Sequence, residues 1–346
     1  MFPIALTNPI NRPVIRYAAG ASLLVAVSMG FDWVLAFLLP VLSMSFLAPG
    51  GKPPGLKGGL FFVGSITIAC FLGMTLAYSF LPMPPIHILV TFLLLFHIFY
   101  TRHAIFNPLV KVWLLVAILL IPNIALQSMV LAKVMAISLV WNAACAILLI
   151  WIIYLVFPLT PESQQSPTKG KSQDDTPGSG RNARFNTALT STLVIMPVYL
   201  TFYFATIPNA LLILVFIAIL SMQPAFAKDW KVGKALIIGN IIGGLAAIIA
   251  YEILTVVPEF NYLILLVLLA GLVFGLFVFD ESPMAAVFGM AFSTFLLIIG
   301  SVTGSDGDGA GGKVWSRVIQ IMIAVVYAVS AFGLIAKFKS SNEKVL

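Results

Sequence analysis

Residues 38–64 read LLPVLSMSFLAPGGKPPGLKGGLFFVG, and residues 216–243 read FIAILSMQPAFAKDWKVGKALIIGNIIG. In each stretch an apolar run closes on Leu-Ser-Met, first at Leu42, Ser43 and Met44 and again at Leu220, Ser221 and Met222. A short loop with two or more lysines follows, and then a Gly-rich apolar run. The leucines of the two copies are 178 positions apart, so the chain reads as two related halves in tandem. Helical repeats that enclose a path between them are a common way to build transporters, and ligands in such folds bind where the repeats meet. The duplication points to a carrier and leaves its cargo open.

Hydrophobic residues make up 61% of the 346 positions and charged residues only 9%, with a mean hydropathy of +1.08. That is too little polar surface to cover a soluble globule. The apolar runs are continuous, not alternating, and approach or exceed the ~20 residues a helix needs to cross the hydrocarbon layer. A membrane barrel, with its alternating strands, is therefore excluded. The expected fold is an all-α integral membrane protein of about twelve transmembrane helices, arranged as two parallel six-helix repeats.

The runs place spans at 18–30, 34–47, 60–80, 86–100, 112–126 and 134–157 in the first half. In the second they fall at 187–205, 210–225, 235–254, 262–279, 284–302 and 318–336. The opening pair is the hardest to divide, because residues 17–48 are long for one crossing and short for two. The matching stretch of the second half breaks at Thr206, Ile207, Pro208 and Asn209, where proline and asparagine favour a turn. The corresponding break is set at Gly30, Phe31, Asp32 and Trp33, leaving two helices of about 22 Å each at 1.5 Å per residue.

Lysine and arginine orient the chain. With the amino terminus in the cytoplasm, that side receives Arg12, Arg16, Lys52, Lys57, Arg102, Lys111 and ten more, sixteen in all, against Lys133, Lys313 and Arg317 outside. This is a strong positive-inside bias, and it puts both termini in the cytoplasm. An even number of spans per half makes the repeats parallel, 1–157 and 186–346. The join at 158–185 is rich in Ser, Gln, Pro, Gly and mixed charge, the composition of a flexible cytoplasmic linker. The net charge of +7 is then a topology signal and not a nucleic-acid surface. The first apolar stretch begins after Arg16 without a small-residue cleavage site and reads as a retained signal anchor.

Cys70 and Cys145 fall inside spans, where cysteine behaves as a small apolar residue, and imply neither a disulfide framework nor a metal. Gly239 with Gly243 and Gly271 with Gly275 are spaced as GxxxG, and Gly73 with Ala77 gives the small-xxx-small form. Such spacing lets helix backbones approach, here expected within the bundle, with a homo-oligomer contact as the other use. The run Asp306-Gly307-Asp308-Gly309 lacks the further ligands of a calcium loop and reads as an external turn.

The chemistry lies in the few ionisable groups near the membrane. Asp32, at the first external turn, and Glu252, near the outer end of the ninth span, are the candidate proton acceptors. His87 and His97 sit at opposite ends of the fourth span, and Asp280 with Glu281 at the inner end of the tenth. The 178-residue offset carries Arg102 onto Asp280 and His103 onto Glu281. Complementary signs at equivalent positions suggest an Arg102–Asp280 ion pair serving as an internal gate. Lys52, Lys57, Lys231 and Lys234 would form a positive vestibule that concentrates anions. Asn123, Gln127, Asn142 and Asn240 are expected to make interhelical hydrogen bonds. No HExxH zinc motif, magnesium-binding acid cluster or GxSxG elbow is present, so neither an enzyme nor a cofactor is expected.

The Phe31-Asp32-Trp33 turn, the run Leu38-Leu39-Pro40 before the internal loop, and Lys57-Gly58-Gly59-Leu60 followed by Gly64 resemble the fusaric acid resistance superfamily of aromatic acid exporters. That superfamily is related to the plant aluminium-activated malate channels. The likeness runs over both halves in span order and loop character. It implies proton-driven efflux of small aromatic or amphipathic organic acids across a bacterial inner membrane, often with a periplasmic adaptor of the membrane-fusion type. The short linker at 158–185 departs from the large cytoplasmic region of the big exporters and places this chain nearer a compact branch. A passive organic-anion channel and a non-transporting assembly partner of an envelope complex are the alternatives.

Overall fold

A computed structural model describes residues 11–31, 35–101, 108–158, 181–205, 213, 214, 217, 221, 230–280, 282, 284–303 and 319–334, the last without 321, 325 and 329. Ten helices are set out in chain order: α1 (Asn11–Gly30), α2 (Leu38–Leu47), α3 (Leu56–Phe80), α4 (Pro84–Tyr100), α5 (Pro108–Ala125), α6 (Met129–Val156), α7 (Arg181–Ala205), α8 (Trp230–Val256), α9 (Phe260–Val278) and α10 (Ala285–Thr303). A shorter apolar helical stretch, α11, covers Met322–Leu334. Among the described residues there is no strand. Among the described residues, seven helices are long and apolar enough to cross a membrane. The chain is therefore an all-helical, multi-pass membrane protein.

The first helix departs from expectation. It starts at Asn11, so it is 20 residues long and takes in Arg12 and Arg16, which positive-inside reasoning had left in a loop. At 1.5 Å per residue that is about 30 Å, a full crossing and not a short one. Its end at Gly30 falls where the break was set. Asp32 and Trp33 lie outside the described residues, as do most of 206–229, 304–318 and the centre of the linker, while α7 already begins at Arg181.

The helices belong to two compact units, each drawing on both halves of the sequence. One comprises Met1–Phe61, Trp141–Gln173 and Ile238–Val318. Its central helix is α1, buried at Val14, Tyr17, Ala18, Ala21, Leu24, Val25 and Ser28 and packed on α2 and α9. Helix α9 is apolar all round, so hydrophobicity cannot choose its inner face. Size does. Leu265, Leu269, Val273 and Leu276 are exposed, whereas Gly271 and Gly275 are buried. Lipid is as apolar as leucine, so the inner face is marked by the glycines that let backbones touch, with Leu263, Val267, Phe274 and Val278 buried beside them. A Cβ on Gly271 would lie 2.8 Å from Ala18 Cα, and one on Gly275 would lie 3.0 Å from Val14 Cγ1. Gly239 and Gly243 do the same for α8 against Val287 and Ala291 of α10. Both GxxxG pairs thus serve packing within the bundle.

The other unit comprises Phe62–Val140, Asp174–Ile237 and Ile319–Leu346. Here α4, α5 and α7 pack on one another. Gly73 of α3 sits on α5, where an added Cβ would come 2.5 Å from the Ala117 carbonyl oxygen. Pro197 lies inside α7, which continues through it. Lacking an N–H, it cannot donate to the carbonyl four residues earlier, a common origin of kinks. Nearby, the Tyr327 hydroxyl of α11 donates to the Val194 carbonyl at 2.9 Å, and Thr201 Oγ1 donates to the Pro197 carbonyl at 2.8 Å.

The two Leu-Ser-Met serines share one local arrangement. Ser43 Oγ donates to the Leu39 carbonyl at 2.8 Å and Ser221 Oγ to the Ile217 carbonyl at 2.7 Å. Both are fully buried, and both bond back four residues, as serines do when a helix face is closed to water.

Candidate functional site

Helix α4 starts on Pro84 and Pro85, whose missing N–H groups cost nothing in a first helical turn. The His87 amide makes an early bond of that helix, 2.9 Å to the Met83 carbonyl. One face of α4 is buried, at His87, Thr91, Leu95 and Ile98, while Ile86, Leu89 and Leu93 are exposed. The helix therefore turns its polar pair, spaced i and i+4, inward. Helix α7 answers with Tyr199 and Tyr203 at the same spacing, 0% and 7% exposed.

His87 is 0% exposed, and its Nε2 lies 2.6 Å from the Tyr199 hydroxyl. Its ring stacks on that of Tyr203 at 5.4 Å between centroids and 19° between planes. The Tyr199 ring stands at 6.2 Å and 28°. The Thr91 hydroxyl lies near the Tyr199 phenol without the geometry of a hydrogen bond to it. His87 Nδ1 is buried with no hydrogen-bond partner. In a neutral imidazole one nitrogen donates and the other accepts, so whichever way the Tyr199 bond runs, Nδ1 is left over. A proton added there would bring a charge and a second donor into a site where, among the described residues, nothing accepts either. An ionisable group so placed in a membrane span marks a functional candidate.

A second polar feature lies in the other unit. Arg16 is only 5% exposed, and its guanidinium carbon sits 4.8 Å above the Tyr154 ring of α6. Its Nε is buried without a partner, and among the described residues no carboxylate pairs with it. A cation–π contact contributes ~0.5–2 kcal/mol, whereas taking an ion out of water costs several kcal/mol. The ring alone does not balance the charge. The Tyr154 hydroxyl meanwhile donates to the Phe46 carbonyl at 2.7 Å and the Gly51 carbonyl at 3.1 Å, and Trp151 Nε1 donates to the Pro54 carbonyl at 2.6 Å. The end of α6 thereby clamps the loop between α2 and α3. Within that loop Gly50 has φ 75°, a left-handed conformation suited to glycine.

The residues singled out from the sequence scatter. Glu252 is exposed on α8, on the same face as Leu245, Ile249, Ile253 and Val256 and one turn from the helix end. Asp280 is exposed just past α9, and Lys52 and Lys57 are exposed between α2 and α3 and in the first turn of α3. Asp32, Arg102, His103 and Glu281 lie outside the described residues, as do the side chains of Lys231 and Lys234. Asn240 does bond across helices, accepting from Thr294 Oγ1 at 2.9 Å through its Oδ1. Asn123 instead donates within its own helix to the Leu119 carbonyl at 2.7 Å, and Gln127 is exposed. Cys70 and Cys145 are free thiols. Sequence reasoning passed over the His87–Tyr199 pair and Arg16. The partners of His87 and Arg16 lie 112 and 138 positions away in the sequence, and no local spacing marks either contact.

Long apolar helices that leave large hydrophobic side chains exposed along their length define an integral membrane protein of the multi-pass class. Residues 187–331 match the family model described as fusaric acid resistance protein-like, and residues 13–155 match that described as protein of unknown function (DUF2955). Residues 187–331 are thus similar to the fusaric acid resistance protein-like family, the same family that the sequence resemblance pointed to. No curated protein and no solved structure matches the chain.

Proposed function

We propose that this protein is a membrane transporter that exports small aromatic or amphipathic organic acids in a proton-coupled manner, with His87 as the group that takes up the coupling proton. The family match supports transport of the efflux type. The observation that carries the coupling is the imidazole itself, fully buried, held by Tyr199 and left with one unpartnered nitrogen. Protonation changes the charge and donor count of a closed site, so proton and ligand occupancy are linked there. The two tyrosine rings supply flat apolar surface beside it, the kind of surface an aromatic acid uses.

The test is accumulation of benzoate-class acids in cells with and without the protein. Deletion should raise retention, and an uncoupler should abolish the difference. His87→Gln, expressed at the wild-type level, should remove the response to the proton gradient, while Asp32→Asn and Glu252→Gln measure what the other two acids add. Gradient-dependent export that survives His87→Gln unchanged would refute the assignment. A passive organic-anion channel is the second reading, favoured by the exposed Lys52 and Lys57 and identified by retention that differs on deletion yet ignores the uncoupler.

A further inference from the structure

We infer that Arg16 forms a binding site for a single oxyanion, a carboxylate or a phosphate, at the amino-terminal end of α1. Two independent features meet there. The first is charge: an arginine residue 5% exposed overall, with Nε buried and unpartnered and no acidic side chain paired with it among the described residues. Buried cations are ordinarily matched by an anion, and the acids of this unit that are described, Glu252, Glu259 and Asp280, are all exposed. The second is how the site is held. Tyr154 lies against the guanidinium on one side and spends its hydroxyl on the Phe46 and Gly51 carbonyls, so its ring is fixed and its oxygen is not a counter-charge.

The planar fork of arginine matches the two oxygens of a carboxylate or phosphate, and a guanidinium stacked on an aromatic ring keeps its edge N–H groups free for that purpose. Arg16 lies five residues after Asn11, about 7.5 Å along the axis. A dissolved acid and a lipid headgroup are the two sources of such an oxyanion near the start of a membrane helix. The chemistry is the same for either source. The inference concerns binding and does not depend on the transport reading: absence of export would leave it intact, and absence of binding would leave export intact.

The experiment uses the full-length protein in nanodiscs, either of phosphatidylcholine alone or with phosphatidylglycerol. In phosphatidylcholine, radiolabelled benzoate and inorganic phosphate are titrated against wild type and Arg16→Gln. A soluble ligand gives saturable binding of at least one probe, weakened at least tenfold in the variant. A lipid ligand gives no such binding, but phosphatidylglycerol retained on wild type in native mass spectrometry and lost from the variant. Should Arg16→Gln fail to fold, Arg16→Lys replaces it; it keeps the charge without the fork and should bind at least threefold more weakly. Wild type that binds neither probe and retains no phosphatidylglycerol overturns the inference, as does either variant binding like wild type.

Discussion

Adding one carbon at Gly271 tests whether α1 is held as closely as described. An alanine Cβ there would stand 2.8 Å from Ala18 Cα, 3.0 Å from Ala18 Cβ and 3.4 Å from Phe292 Cζ. Carbon atoms rest at ~3.5–4.0 Å, so α1 and α9 must part by about 1 Å, and the nearest obstacle is backbone that cannot rotate away. Overpacking of this kind costs about 1–3 kcal/mol, and the better helix propensity of alanine returns up to ~1 kcal/mol. The net loss is roughly 1–2 kcal/mol, a fall in Tm on the order of 2–6 °C. Gly64 of α3 is the control, since a Cβ there meets nothing within 4 Å. Gly64→Ala should therefore be neutral or slightly stabilising. The assay is fluorescence-detected size exclusion after heating, with both variants and wild type in one detergent. A Gly271→Ala protein as heat-resistant as Gly64→Ala would refute the close contact of α1 with α9.

Tyr154→Phe keeps the ring over Arg16 but removes the donor shared by the Phe46 and Gly51 carbonyls; the expected loss is about 1–2 kcal/mol, with faster proteolysis between α2 and α3, and an unchanged cleavage rate would show that the loop is held by other contacts. Cysteines placed at Ser166 and Ser340 should resist an impermeant thiol reagent in intact cells while one at Ser305 reacts; labelling of all three from outside would overturn the twelve-span topology proposed from the sequence.

The membrane class was legible in the sequence because it depends on composition and run length, which need no tertiary information. The small-residue pairs were legible for a related reason: Gly271 and Gly275 share a helix face by spacing alone, and lipid gives that face no competing purpose. The start of α1 was not. Arg16 carries a charge, and charge normally marks the end of a span, whereas here the residue lies over Tyr154, 138 positions later in the sequence. The His87–Tyr199 pair joins residues 112 positions apart, and no local pattern ranks His87 above His97. His97 is exposed at the far end of α4, beside Thr101. Asn123 shows the reverse error. An asparagine in a span reads as a link between helices, but the Leu119 carbonyl one turn back accepts from its amide instead.

Helix α2 has ten residues, about 15 Å at 1.5 Å per residue, roughly half of a ~30 Å hydrocarbon layer. Such a segment is too short to partition into the bilayer by itself as it leaves the ribosome. Its stable residence depends on neighbours: Leu47 against Gly20 of α1, and carbonyls in its last turn and in the loop after it taken up by Trp151 and Tyr154. Those two aromatic residues are made about a hundred positions after α2, so this part of the chain must wait, incompletely seated, until α6 has been synthesised. Biogenesis therefore has an order here. A nascent chain truncated before Trp151 should expose the 48–55 segment to protease, and one released after Tyr154 should protect it.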